Sequence, residues 1–168
     1  REMVGQAINF DAPLVKIAEG MNILELFHGP SLAFKDFGAR FMARLMGWLT
    51  REDDRELTVL VATSGDTGGA VASAFHRVRG TRVVVLYPSG KVSALQEKQL
   101  TTLGDNIPAL AVRGSFDACQ RRVHAAFLRD PLSQKVNLTP PNSTNLARLL
   151  PPALDSLRDS LRSLDTST

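Results

Sequence analysis

The chain of 168 residues is long enough for one domain with a hydrophobic core, and its 43% hydrophobic and 22% charged composition is typical of an ordinary globular protein. Its net charge of +3 is spread among acidic residues, which argues against a nucleic-acid partner, and no apolar run reaches membrane-spanning length. The single cysteine, Cys119, excludes an internal disulfide and favours a cytoplasmic location.

Strands and helices are predicted to alternate along the chain. Apolar runs of strand length predict strands at residues 22–27, 57–62, 82–87 and 108–112. Helical patterns follow them at residues 32–49, 68–78, 93–104 and 115–130, with Ser115 as the N-cap of the last. Unbroken apolar strands are typical of a parallel sheet covered on both faces, which predicts a three-layer α/β fold.

The chain is predicted to divide at a change in composition. Residues 1–150 form the α/β domain, and residues 151–168 are a tail rich in Leu, Ser, Arg and Asp. The thin leucine stripe of this tail predicts either a short helix or a segment without fixed structure.

The first long helix carries a lysine in an apolar sector. Lys35 shares that sector with Gly38, Ala39, Met42 and Met46. A polar stripe holds Asp36, Arg40 and Arg44, and the predicted core face holds Phe34, Phe37, Phe41, Leu45 and Trp48. Apolar neighbours disfavour the charged ammonium form, which is the condition for Schiff-base chemistry; the alternative is a lysine that extends from a crowded face into solvent.

The segment VATSGDTGGA, residues 61–70, runs from a strand directly into a helix. Such a turn exposes backbone amides at the positive end of a helix, where a carboxylate or phosphate can bind. Hydroxyls at Thr63, Ser64 and Thr67 could assist, and Asp66 or Thr67 is the predicted N-cap. A capped turn without a ligand is the alternative.

Other reactive residue types give no further site. The histidines, at positions 28, 76 and 124, lack metal-ligand spacing, so no metal is expected. Cys119 lies in a helical pattern and is predicted to be a buried small apolar residue. Lys91 and Lys98 are interpreted as solvated charges.

Four segments in sequence order together resemble one family. They are LELFHGPSLAFKDFGARFMARLM, ATSGDTGGAVASAF, VVVLYPSGKVSALQEKQLTTLG and SFDACQ. They are similar to threonine synthase, a fold-type II pyridoxal-phosphate enzyme, and the likeness runs from about residue 23 to residue 150. That family converts O-phosphohomoserine, a small amino-acid phosphate, and water to threonine and phosphate.

The resemblance implies roles for individual residues. Lys35 would hold pyridoxal 5'-phosphate through its amine and later move protons, with Phe34 and Asp66 beside the cofactor. Substrate contacts are implied for Thr63, Ser64, Gly65, Thr67, Gly68, Asn142, Ser143 and Asn145.

The sequence also departs from the family pattern. Ser31 stands where the family usually has Thr, and Pro141 and Thr144 alter the segment around Asn142. A later glycine-rich loop that binds the cofactor phosphate has no counterpart. We therefore expect a part of a longer enzyme, incomplete at both ends, that binds the cofactor weakly, because it lacks several charge-assisted hydrogen bonds of about 1.5–3 kcal/mol each.

Two other functions remain open. One is another fold-type II activity such as threonine dehydratase, which the FHGP segment and Asp66 disfavour. The other is a non-catalytic remnant that acts as an oligomerising or binding module, since a partial α/β domain exposes apolar surface that favours self-association.

Overall fold

The computed structural model describes residues 2–128 and 136–139. Its helices are α1 (Glu2–Ala7), α2 (Lys35–Leu49), α3 (Asp66–Phe75), α4 (Ala94–Thr101) and α5 (Phe116–Phe127). Its strands are β1 (Leu14–Ala18), β2 (Met21–Leu24), β3 (Leu57–Ala62), β4 (Thr81–Pro88), β5 (Ala109–Val112) and β6 (Asn137–Thr139). The predicted tail, residues 151–168, lies outside the described residues, so the division at residue 150 stays a prediction.

A four-stranded sheet with the order β5-β4-β3-β6 lies at the centre of the fold. All of its strand pairs are parallel, and the longest ladder aligns β3 with β4 from Leu57 opposite Thr81 to Ala62 opposite Leu86. Within residues 2–128 and 136–139, no helix has the length and apolar character needed to cross a bilayer.

Helices cover both faces of this sheet. Val59, Val61, Val83 and Val85 pack with residues of α2, α3 and α4 on one face. Leu86 and Val112 pack with Cys119 of α5 on the other face. Because alternate residues of each strand meet an apolar layer, the strands are apolar throughout, and the predicted three-layer α/β fold is confirmed. Cys119 is buried as predicted, and burial raises the pKa of its thiol.

The strand predicted at residues 22–27 does not belong to the main parallel sheet. The structure forms β2 at Met21–Leu24 and pairs it antiparallel with β1, in a hairpin separate from the main sheet. Gly20, with a φ of 69°, lies in the turn between the two strands, a left-handed conformation that glycine adopts without strain. Because this pairing depends on the turn, apolar content alone did not predict it.

Helix α2 differs from its prediction in two respects. It begins at Lys35 rather than at residue 32, because Leu32 has a left-handed φ of 58° that a helix cannot include. Its buried residues include Ala39, Met42 and Ala43, whereas Phe34 and Trp48 of the predicted core face are 54% and 52% exposed. Small side chains let α2 lie close to α3, and this close approach decides which face is buried.

Candidate active site

Helices α2 and α3 lie side by side and run against the strands. Helix α2 leads into the amino end of β3, and α3 leaves the carboxyl end of β3 on its way to β4. The far end of α2 lies beside the segment that leaves α3, since a Cβ added at Gly47 would lie 2.8 Å from Cγ1 of Val78, three residues after α3 ends. Their first residues, Lys35 and Asp66, are therefore both at the carboxyl edge of the sheet, where open α/β sheets bind ligands.

Lys35 begins the row of α2 that packs into the core. Ala39 and Met42, one and two turns further on, are fully buried, whereas Lys35 is half-buried at the end of the row. Its Nζ lies 4.8 Å from the ring centroid of Phe34, which is exposed. The amine therefore has apolar surface beside it but remains accessible from the sheet edge.

The turn from β3 into α3 is organised by the hydroxyl of Thr63. This hydroxyl accepts hydrogen bonds from the amides of Gly65, at 3.0 Å, and Gly68, at 2.8 Å. The Thr63 side chain is buried, and its own amide donates to the Leu86 carbonyl at 2.9 Å. A Cβ on Gly68 would overlap the Thr63 side chain, so the close approach requires glycine. Thr63 thus holds the turn together from within.

The outer surface of the turn offers polar groups to solvent. Ser64 and Asp66 are exposed and Thr67 is half-buried. The N-cap of α3 is Gly65 rather than the predicted Asp66 or Thr67, because its φ of 147° and ψ of −96° belong to a region that only glycine enters readily. The Gly68 amide is engaged by Thr63, which leaves the amides of Asp66 and Thr67, the first two residues of α3, without a partner in the helix and able to bind an anion.

The structure brings most of the predicted site residues to one edge. Residues 63–68 form the single turn described above, and Phe34 and Lys35 lie at the start of the neighbouring helix. The other predicted contacts, Asn142, Ser143 and Asn145, lie outside the described residues.

Two further residues of this edge were not singled out from the sequence. Gln96 donates through Nε2 to Asp66 Oδ1 at 2.8 Å, and the capping-box pattern SALQ was a signal that could have indicated it. Asp36 was placed on an exposed polar stripe, but its side chain is buried and accepts two hydrogen bonds from Ser31. Arg40, spaced for a pair with Asp36, donates instead to the carbonyls of Gln6 and Ala7.

Comparison with known proteins identifies a family for this arrangement. Residues 20–147 match the family described as "Pyridoxal-phosphate dependent enzyme". The chain is 51% identical to a threonine synthase of Buchnera aphidicola subsp. Baizongia pistaciae over 88% of its own length, and 50% identical to that of Escherichia coli strain K12 over 89%. It spans 34% of each of these relatives, about a third of their length.

Solved structures agree with the sequence comparison. A pyridoxal-phosphate-bound threonine synthase from Brucella melitensis has a TM-score of 0.87 at 36% identity, over 96% of this chain and 35% of the other. The threonine synthase of Escherichia coli has a TM-score of 0.78 at 51% identity, over 89% of this chain and 34% of the other. The family match covers well over half of the sequence, and the chain therefore belongs to the pyridoxal-phosphate-dependent enzyme family.

Proposed function

We propose that this chain forms the lysine-bearing and substrate-turn part of a threonine synthase, which converts O-phosphohomoserine and water to threonine and phosphate. The observation that carries the proposal is the start of two adjacent parallel helices, at Lys35 and Asp66, on one edge of the sheet. Threonine synthases about 50% identical to this chain support the substrate assignment.

The residues at this edge fit pyridoxal phosphate. Lys35 offers an accessible amine for the aldehyde carbon, and Phe34 offers an exposed aromatic face beside it. When bound, pyridoxal phosphate supplies an electron sink for the negative charge that develops next to the substrate amine. Asp66, exposed at the head of α3, is the proposed partner of the ring hydroxyl.

Each residue of the site then has a distinct task. Lys35 Nζ binds the cofactor covalently, and as a free amine it accepts and returns the protons of the substrate. The amides of Asp66 and Thr67 at the start of α3 and the hydroxyl of the exposed Ser64 bind the substrate carboxylate, because the helix end is positive. Thr67 and the backbone of Gly65 and Gly68 complete the turn.

Thr63 has a supporting part in this proposal. Its hydroxyl is engaged with two amides of the turn and its side chain is 1% exposed, so it shapes the carboxylate site from beneath. Asn142, Ser143 and Asn145 are proposed as substrate contacts on the resemblance alone.

A segment exchange tests the activity. The aligned 149-residue region of the Escherichia coli enzyme would be replaced by that of this chain, and phosphate release from O-phosphohomoserine would be measured. We expect release that Lys35→Ala abolishes and that Lys98→Ala, at an exposed position, leaves unchanged. Release that survives Lys35→Ala would contradict the assignment, and deamination of threonine without phosphate release would favour threonine dehydratase.

The isolated chain should bind the cofactor weakly and turn over little substrate. The reason is the absence from the sequence of a glycine-rich counterpart to the phosphate-binding loop. Titration with pyridoxal phosphate, followed by its visible absorbance, measures this directly. Saturable binding at micromolar cofactor would contradict the expectation.

We also propose that the chain is cytoplasmic and self-associates when isolated. The hairpin β1–β2 exposes large apolar side chains at Leu14, Val15, Ile17, Met21 and Ile23. A two-stranded hairpin is marginal alone, so its apolar surface favours a covering partner. Size-exclusion chromatography should show an oligomer that Ile17→Lys weakens. A stable oligomer that never binds cofactor would instead support the non-catalytic binding module.

A further inference from the structure

The side chain of Asp36 is buried at the second position of α2, next to Lys35. Only 1% of the residue is exposed. Its Oδ2 accepts a hydrogen bond from the Ser31 amide at 2.8 Å, and its Oδ1 accepts one from Ser31 Oγ at 2.7 Å. Both carboxylate oxygens are therefore bonded to one residue of the preceding turn.

The turn itself is wrapped tightly around this carboxylate. The Leu32 amide donates to the Gly29 carbonyl at 3.0 Å, and Leu32 has a left-handed φ of 58°. A Cβ at Gly29 would overlap the Asp36 side chain, so the backbone passes directly against it. A non-glycine residue in the left-handed region is strained, and the hydrogen bonds of Ser31 to Asp36 offset that strain.

Helix α2 has no side-chain cap of the usual kind. Its N-cap is Phe34, whose side chain makes no capping hydrogen bond, whereas α4 of the same chain begins with a complete capping box at Ser93. Burying a carboxylate is costly unless it is well bonded, although the positive end of the helix favours its charge. The Asp36–Ser31 pair thus takes the place of a cap in deciding where α2 begins.

We propose that Asp36 is a positioning residue for Lys35: by holding Ser31, it fixes the Gly29–Leu32 turn and the first residue of α2, and so the place of the reactive amine. The proposal rests on the proposed function of Lys35. Asp36 touches neither the cofactor nor the substrate in this account. It acts by stabilising one backbone conformation of the turn that leads into Lys35 over the alternative conformations.

Lysine-selective labelling tests the proposal in the segment-exchange enzyme described above, in which the Escherichia coli enzyme supplies the rest of the polypeptide. Pyridoxal phosphate is added at low concentration and fixed to lysines with borohydride, and peptide mapping gives the label at Lys35 relative to the exposed Lys91 and Lys98. We expect preferential labelling of Lys35 in the unsubstituted segment-exchange enzyme. In Asp36→Ala, the preference should fall about tenfold or more, because small misplacements of a reacting group cost large factors in rate.

Matched variants separate positioning from general effects. Ser31→Ala removes only the hydroxyl bond and should lower the preference less, whereas Ser31→Thr keeps the hydroxyl and should retain it. Asp117→Ala removes an exposed carboxylate at the second position of α5 and should leave the preference unchanged. Hydrogen exchange of the Ser31 amide should show loss of protection in Asp36→Ala, with far-UV circular dichroism unchanged.

The outcomes distinguish the two proposals. If Ser31 loses protection in Asp36→Ala while Lys35 keeps its share of the label, the positioning role is overturned and the function of Lys35 stands. If Lys35 of the unsubstituted segment-exchange enzyme takes no more label than Lys91 or Lys98, the proposed function fails and the positioning role with it. If Asp36→Ala does not fold, an unchanged labelling preference in Ser31→Ala overturns the proposal, and a reduced one supports it.

Discussion

The Gln96 side chain donates through Nε2 to Asp66 Oδ1 at 2.8 Å and so joins the start of α4 to the start of α3. The same side chain accepts from the Ser93 amide through Oε1 at 3.1 Å, and the Gln96 amide donates to Ser93 Oγ at 3.2 Å. One glutamine therefore completes a capping box and also holds the proposed carboxylate turn. The position of Asp66 depends on a helix that begins 28 residues after it.

Gln96→Glu should weaken this junction without disturbing the cap. Glutamate serves as well as glutamine in a capping box, but it cannot donate to Asp66 and adds a like charge beside it. We expect a loss of about 1 kcal/mol in the free energy of unfolding, measured with urea. Added salt should restore part of the loss by screening the repulsion.

Ser93→Ala is the control for this substitution. It removes the capping hydroxyl and should cost about 1 kcal/mol, with little dependence on salt, because the bond from Gln96 to Asp66 remains. Equal salt responses in the two variants would contradict the assigned role of Gln96.

Gly65→Ala should destabilise the chain. The φ of 147° is unfavourable for alanine, and the added Cβ would overlap the Gln96 side chain. We expect a loss of about 1–3 kcal/mol in thermal or urea unfolding. Gly5→Ala, in α1 with open space around it, should stabilise the chain by about 0.5–1 kcal/mol. A similar change in stability at both positions would contradict the requirement for glycine at position 65.

Thr63→Val should expose the importance of the buried hydroxyl. Valine has nearly the same shape but leaves the amides of Gly65 and Gly68 without their acceptor. The expected cost is about 1–3 kcal/mol in the free energy of unfolding, because buried donors are left unpaired. Thr63→Ser keeps the hydroxyl and should be closer to the original chain. If Thr63→Ser were less stable than Thr63→Val, the methyl group of Thr63 would matter more for stability than its hydroxyl.

Asp105 should make the free energy of unfolding depend on pH in the acidic range. The hydrogen bond and charge of Arg77, with a smaller contribution from His76, hold the pKa of Asp105 below its ordinary value. A lowered folded-state pKa stabilises the fold above the ordinary carboxyl range, and this stability is lost as the pH falls through the lowered value. Asp105→Asn should therefore be less stable at neutral pH and decline less steeply below about pH 4.

Asn is suited to this test because it tolerates the left-handed φ of 49° at position 105. Urea unfolding at pH 7 and at several acidic values gives the comparison, with the exposed Asp54→Asn as control. If the free energies of unfolding of Asp105→Asn and of the original chain fall equally as the pH is lowered, the ion pair between Asp105 and Arg77 does not contribute to the pH dependence of stability.

The sequence predicts the central sheet well because its strands are buried on both faces. For β3 and β4, an unbroken β-branched run leaves few alternatives, and the observed bounds differ from the predicted ones by at most one residue. Strand β1, the antiparallel pairing of β2 and the three-residue β6 were not predicted. The hairpin is exposed, and the short β6 pairs with residues 80 positions earlier in the sequence, so neither leaves a strong local pattern.

At the candidate site, residue type indicated which groups are candidates for the chemistry but not what holds them. Lys35 and the turn at residues 63–68 were found from motif and resemblance. Asp36 was missed because a periodicity argument assigns a carboxylate to solvent, whereas here two hydrogen bonds make its burial favourable. Phe37 is buried as predicted, but Phe34 and Trp48 are exposed, since hydropathy favours large aromatic residues over Ala39 although only the smaller residue fits against a neighbouring helix.

The adjacency of α2 and α3 has a consequence for how this chain folds during synthesis. Lys35 and Asp66 belong to one helix–strand–helix unit, so the groups at the sheet edge are brought together by contacts that are short-range in sequence. Such contacts form early in folding because they close small loops. During synthesis on the ribosome, this edge of the candidate site can be assembled before the strands and helices that follow α3 have emerged.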